Sequence, residues 1–200
     1  MTAERPAPRV IEGQFIHLSP LQREEVPALY AAIGMPEVFA GGYGGGPSGL
    51  PADETDFTEF ASRYYQWDKG NVYGVHLPDG SLVGTTTLGD FDEPNESAHI
   101  GWTAYAPAVW GTAVNPEAKL LLLGEAFEHG FGRVKLQADA LNSRSRAAIT
   151  KLGAQFEGIT RRHMKRPDGS WRDTAVFSIL AHEWPAVRAG LEERLAAAQQ

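Results

Sequence analysis

Three groups of residues in this chain are of types that could do chemistry. His99 opens the run His99-Ile100-Gly101-Trp102-Thr103, which reads as a strand. An imidazole titrates near neutrality, so it can take or hold a proton at working pH; the blander use is a cross-strand structural histidine. The second group is the loop Trp110-Gly111-Thr112-Ala113-Val114-Asn115-Pro116-Glu117-Ala118. Asn115 is a strong helix N-cap type and Pro116 then suits the first helical position. The outward amides of a helix start favour an anion, so a helix placed directly after a strand makes a phosphate seat. The third group is Asn142-Ser143-Arg144-Ser145, another helix start, followed by Lys151-Leu152-Gly153-Ala154.

Other arrangements fail on spacing or context. Gly44-Gly45-Gly46-Pro47-Ser48-Gly49 has dinucleotide-loop spacing, but no strand precedes it and Pro51 follows, so a mobile loop is the better reading, with a place at the border of a substrate site left open. The acidic turn Asp90 to Glu96 lacks the fixed ligand spacing of a calcium loop. A nucleophile elbow and a His-Glu-x-x-His helix are missing. With no cysteine, disulfides, cysteine-ligated zinc and cysteine acyl-enzymes are excluded. Arg161-Arg162-His163-Met164-Lys165-Arg166 is basic, but a strand divides such a run between two faces, and the chain's net charge of -7 opposes nucleic-acid binding.

The elements that must position these groups follow from periodicity. Residues 1–12 read as a loose arm without an apolar stretch, so no signal peptide is expected; residues 13–200 read as one domain. The spacing predicts a strand at 15–18 and helices at 22–33 and 53–69. Strands follow at 72–77, 82–91 and 97–105, then a helix at 116–129. A strand at 134–140, a helix capped by Asn142, strands at 154–164 and 171–180, and a helix at 183–198 complete the chain. Asp79-Gly80 and Asp168-Gly169 mark hairpin turns. The result is a single α/β domain on a mixed, mostly antiparallel sheet flanked by helices. The longest aliphatic run, Leu120 to Leu123, is far too short to span a membrane, and the cytoplasm is the expected setting.

That order, with a tight loop between the fourth strand and its helix, resembles the GNAT superfamily of acyl-CoA-dependent N-acyltransferases. The nearest resemblance is to the ribosomal-protein alanine and serine N-acetyltransferase branch. Ile100-Gly101-Trp102 is similar to that branch's Ile-Gly-Tyr. Asn142-Ser143-Arg144-Ser145 with Lys151-Leu152-Gly153-Ala154 is similar to its Asn-x-x-Ser and Lys-Leu-Gly-Phe segments. The loop departs from Trp-Gly-x-Gly-Tyr-Ala-Thr-Glu-Ala: Ala113 stands where glycine is common and Asn115 where a small residue is common. Glycine tolerates unusual φ there, so Ala113 fits only with a negative φ.

The resemblance implies transfer of an acetyl group from acetyl-CoA, a co-substrate, to an amine by direct attack, with no metal. Pyrophosphate would sit on Gly111, Thr112, Ala113, Val114 and Asn115, and pantetheine along Thr103, Ala104 and Tyr105. Asn142, Arg144 and Arg146 would meet the rest of the carrier, with Lys151 near them. His99 would be the general base, with Glu96 and the acidic turn as alternatives. Ser145 would protonate the leaving thiolate, since Ala148 stands near where many relatives carry a tyrosine. A small-molecule amine and a protein N-terminus both remain open as acceptor. Neither nucleic acid nor membrane is an expected partner, and family habit allows a homodimer. The rival reading is a GNAT-like regulatory domain that binds CoA or a small ligand without turnover.

Overall fold

A computed structural model describes residues 2–198; Met1, Gln199 and Gln200, the ends of the expected arm and domain, lie outside the described residues. Eight strands form one sheet: β1 (Ile11–Glu12), β2 (His17–Pro20), β3 (Asn71–His76), β4 (Leu82–Asp92), β5 (Ser97–Tyr105), β6 (Arg133–Asp139), β7 (Gln155–Lys165) and β8 (Trp171–Leu180). The spatial order is β1-β2-β3-β4-β5-β6-β8-β7. Every neighbouring pair is antiparallel except β5 with β6. The helices are α1 (Val26–Ile33), α2 (Pro36–Ala40), α3 (Glu54–Tyr64), α4 (Val114–Glu128), α5 (Ser143–Lys151) and α6 (Trp184–Ala197).

Strand alternation sorts the core onto two faces. Val72 and Ala104 point into a cluster with Leu29, Ile33, Phe57 and Ala61 of α1 and α3. Their neighbours Tyr73 and Tyr105 point the other way, into the larger cluster with Leu122 and Leu123 of α4 and Leu191 of α6. Glu117, in the first turn of α4, is 3% exposed. Its carboxylate accepts the backbone N–H groups of Gln14, Phe15 and Ile16 at 2.7–2.8 Å. This ties the helix start to the entry of β2, and the three donors replace the water the carboxylate loses.

Four expectations need correction. α4 begins at Val114, so its N-cap is Ala113, with φ -66° and no side-chain cap bond. Asn115 and Pro116 therefore fall at the second and third helical positions. The ring is tolerated because first-turn N–H groups have no helical partner to lose. The expected arm contributes β1 to the sheet, and Ala3 and Ile11 are buried. The predicted first helix begins as a short 3₁₀ turn, Arg23–Glu25, before α1. Finally, the segment before and through the glycine-rich stretch holds α2 and two 3₁₀ turns, Tyr43–Gly45 and Pro47–Gly49.

Candidate active site

The site grows from a defect in β5. Opposite it, β4 steps from Thr85 to Thr87 while β5 steps from Ala104 to Gly101, so Trp102 and Thr103 together face Thr86. Trp102 has φ 51°. A bulge with such a residue bends its strand, and the strained φ is offset by the packing of the indole on the His99 ring, 5.1 Å between centroids. Pairing of β5 with β6 ends at Ile100–Leu136. Beyond it the strands part, and Gly101 to Tyr105 present an open backbone edge.

A cavity of about 370 Å³ occupies this gap. It is lined by Gly111, Asn115 and Lys119 at the start of α4, by Thr103 and His99 of β5, and by Gly41, Gly42, Tyr64, Met164 and Arg172. The glycine-rich segment thus borders the cavity. Gly42 has φ 90°, and a Cβ there would lie 3.0 Å from Asp139, so the backbone passes where no other residue fits comfortably.

His99 is 7% exposed. Its Nδ1 lies 2.9 Å from Asp90 Oδ2, so Nδ1 donates to the carboxylate and the Nε2 lone pair is left free. Nε2 is buried without a hydrogen-bond partner. A Cβ on Gly101 would approach Nε2 to 2.8 Å, which explains why the strand carries glycine there. Burial is the largest influence on the imidazole and lowers its pKa; the Asp90 bond opposes this, while the nearby Lys135 and Lys119 charges add to it. The ring is therefore neutral, a proton acceptor at neutral pH. Asp90 is held well below the usual carboxylate range, chiefly by its bond from His99 and also by Gln66 Nε2 and Lys135. The alternative base Glu96 is exposed on the turn before β5 and does not line the cavity.

Lys119 is a site residue that the sequence reading passed over. It is 6% exposed, and its Nζ donates to Thr103 Oγ1 at 3.0 Å. Thr103 Oγ1 in turn lies 2.8 Å from Thr86 Oγ1. No carboxylate pairs with Lys119 among the described residues, and burial pushes its pKa down to about 7. The available signal was a lysine four residues after Asn115, on the same helix face, inside an otherwise apolar run.

The remaining sequence candidates separate by position. Gly111 has φ 79° with open space around a notional Cβ, so only its backbone conformation demands glycine. Ala113 has the negative φ its side chain needs. The N–H groups of Gly111, Ala113 and Asn115 have no partner among the described residues, as an anion seat requires. Thr112 Oγ1 is engaged with the Val109 carbonyl at 2.7 Å, and the Val114 side chain lies in the core. Thr103, Ala104 and Tyr105 form the open strand edge. Asn142 caps α5, accepting Ser145 N–H at 2.9 Å, and its amide also donates to the Gly41 carbonyl. Arg144 lies 3.8 Å over the Trp110 ring at the cavity rim. Ser145 lines the cavity. Arg146 turns away to the Ala140 carbonyl at 3.1 Å, and Lys151 closes the far end of α5. Among the described residues no cluster of His, Cys, Asp or Glu could hold a metal, and no helix is long and apolar enough to cross a membrane.

A splayed parallel pair beside an open helix start, with a buried imidazole in the gap, frames the candidate site. The Acetyltransferase (GNAT) domain profile matches residues 16–155, and the chain belongs to this family. It is 33% identical over 132 residues to YdaF of Bacillus subtilis (strain 168), named as a candidate ribosomal N-acetyltransferase, covering 66% of this chain and 70% of that one. An acetyltransferase structure from T. thermophilus aligns with TM-score 0.84 and 31% identity, over 96% of this chain and 100% of that one. A GCN5-related N-acetyltransferase from Brucella melitensis aligns with TM-score 0.87 and 27% identity, over 97% and 88%. The single-domain α/β fold with a mostly antiparallel sheet is thus the fold of its family.

Proposed function

We propose that this chain is an acetyl-CoA-dependent N-acetyltransferase acting on a primary amine by direct attack on the thioester. The observation that carries the reading is His99: a buried, neutral imidazole, oriented by Asp90, with a free lone pair at a cavity joining the open edge of β5 to the start of α4. The donor's contribution is an activated acetyl thioester. The amides of Gly111, Ala113 and Asn115, with the positive end of α4, are suited to its pyrophosphate. Arg144 stands beside them. The open backbone of Thr103 to Tyr105 is suited to the amides of the pantetheine arm, as an added strand would be. Ala113 needs no glycine conformation, so its departure from the family pattern does not weaken this assignment.

His99 Nε2 takes the proton that the amine must lose, directly or through water. The amine nitrogen then forms its bond to the carbonyl carbon, the carbon–sulfur bond breaks, and the thiolate takes a proton from Ser145 Oγ or water, which regains one from the acylated nitrogen. Lys119 holds Thr103 on the strand beside the reacting group. The name of YdaF, a candidate ribosomal N-acetyltransferase, supports a protein amine such as an N-terminus as one acceptor class; a small amine is the other. A cytoplasmic setting goes with either. The test is thiol release from acetyl-CoA across an amine panel, with mass spectrometry of the products. One acetylated amine per thiol released is expected. CoA binding with no acetylation across the panel would leave a ligand-binding domain without turnover.

A further inference from the structure

Apart from the neutral His99, the cavity presents three basic side chains, Lys119, Arg144 and Arg172, and one carboxylate, Asp139. That carboxylate is already engaged: its Oδ2 pairs with Arg166 and its Oδ1 accepts Leu141 N–H at 3.0 Å. Arg144, at the rim on Trp110, belongs with the donor's phosphates, and Lys119 is bonded to Thr103. Arg172 is left over. It lines the cavity near Tyr64, Asp139 and Arg166. Its Nε is buried with no hydrogen-bond partner, and no carboxylate lies within ion-pair distance among the described residues. An arginine fork left unpaired in a cavity is built for a planar anion, and a carboxylate matches it bidentately.

Resting on the acyl-transfer reading above, we propose that the acceptor is a free amino acid, its carboxylate held by Arg172 and its amine presented to His99. The chemistry is the balanced transfer already given: nitrogen to carbonyl carbon, carbon–sulfur cleavage, one proton to His99 and one to the thiolate. Two features narrow the class. A second and third positive charge on the acceptor would face Arg172 and find no unpaired carboxylate in the lining, so polyamines and amino sugars with several ammonium groups are disfavoured. The cavity's 370 Å³ must also admit the donor's arm, which leaves room for a small acceptor.

The experiment compares the twenty common amino acids, each with its carboxamide, and a short peptide with a free N-terminus, as acceptors with acetyl-CoA. The expected result is that at least one amino acid exceeds its amide by about 100-fold in kcat/KM, the penalty of leaving a buried charge unpaired. Arg172→Gln should erase that preference by lowering the acid toward the amide, and Arg172→Lys should restore part of it. Amides or the peptide working as well as the acids in the unmodified protein would overturn the proposal. So would an Arg172→Gln variant that keeps the preference. If no acceptor turns over, thermal shifts of the CoA-loaded protein with the same acids and amides separate the two ideas. Acid-specific stabilisation lost in Arg172→Gln would sustain the subsite while the transfer reading falls; no acid-specific shift would sink the subsite as well.

Discussion

Replacing Lys119 with Met should stabilise the protein most at neutral and acid pH. The methionine keeps the length of the stem and leaves the Thr86–Thr103 hydroxyl pair intact. Lys119 is 6% exposed with a pKa near 7 in place of an ordinary 10.5. The fold therefore disfavours the charged form by about 3.5 decades, or about 5 kcal/mol. The sign follows from proton counting. Above pH 10.5 the amine is neutral in both states and carries no penalty. As pH falls from 10.5 toward 7, the unfolded chain takes up the proton and the native chain does not, so native stability falls. Below 7 both forms are protonated and the penalty is complete. Between pH 7 and 9 the advantage of Lys119→Met over the parent should shrink by about 2.3 kcal/mol, since the native lysine is already half protonated at pH 7. Urea unfolding of both proteins at pH 6, 7, 8 and 9 measures this. The range stops short of the buried tyrosines Tyr43, Tyr64, Tyr65, Tyr73 and Tyr105, whose pKa values are raised above 10. Parallel stability profiles for the two proteins would refute the claim that this lysine is buried without a compensating charge.

His99→Gln should lower turnover by about 10²-fold with little change in CoA affinity. The parent's pH–rate profile should lose activity only below the ordinary histidine range, because burial lowers the His99 pKa; a limb above 6.5 would contradict this. Asp90→Asn removes a contact that raises that pKa, so it should move the limb to still lower pH as well as slow the reaction. Glu117→Ala strips an acceptor from three backbone N–H groups and should destabilise by on the order of 3 kcal/mol in denaturant unfolding. Ser145→Ala should reduce the maximal rate about ten- to a hundredfold without changing CoA binding; a stable acetyl group on Ser145 during turnover would instead indicate a covalent route.

The backbone plan was readable because hairpin turns and helix stops are local chemistry. Strand 171–180 and the Asn142 cap follow from Asp-Gly, Asn and Gly at fixed positions. The α4 start was misplaced by two residues because Pro116 signals a first turn without fixing which of its positions it takes. The place of His99 on a strand was legible from the motif around it. Its partner Asp90 was not, since the contact depends on β4 and β5 pairing Gly89 with His99 across the acidic turn. Lys119 and Arg172 escaped for a related reason: nothing in a charge's own neighbourhood in the chain reveals that its opposite charge is missing in space. The bulge at Trp102 is likewise a property of two strands, and it is what opens the site.

The central claim is that the gap beyond Ile100, with the start of α4, seats an acyl-CoA. Calorimetric titration of acetyl-CoA into the unmodified protein and into Ala113→Asp tests it most directly. Micromolar binding is expected, Kd about 1–100 μM, weakened about tenfold or more when a carboxylate faces the pyrophosphate seat. No heat from the unmodified protein, or equal affinity in Ala113→Asp, would contradict it.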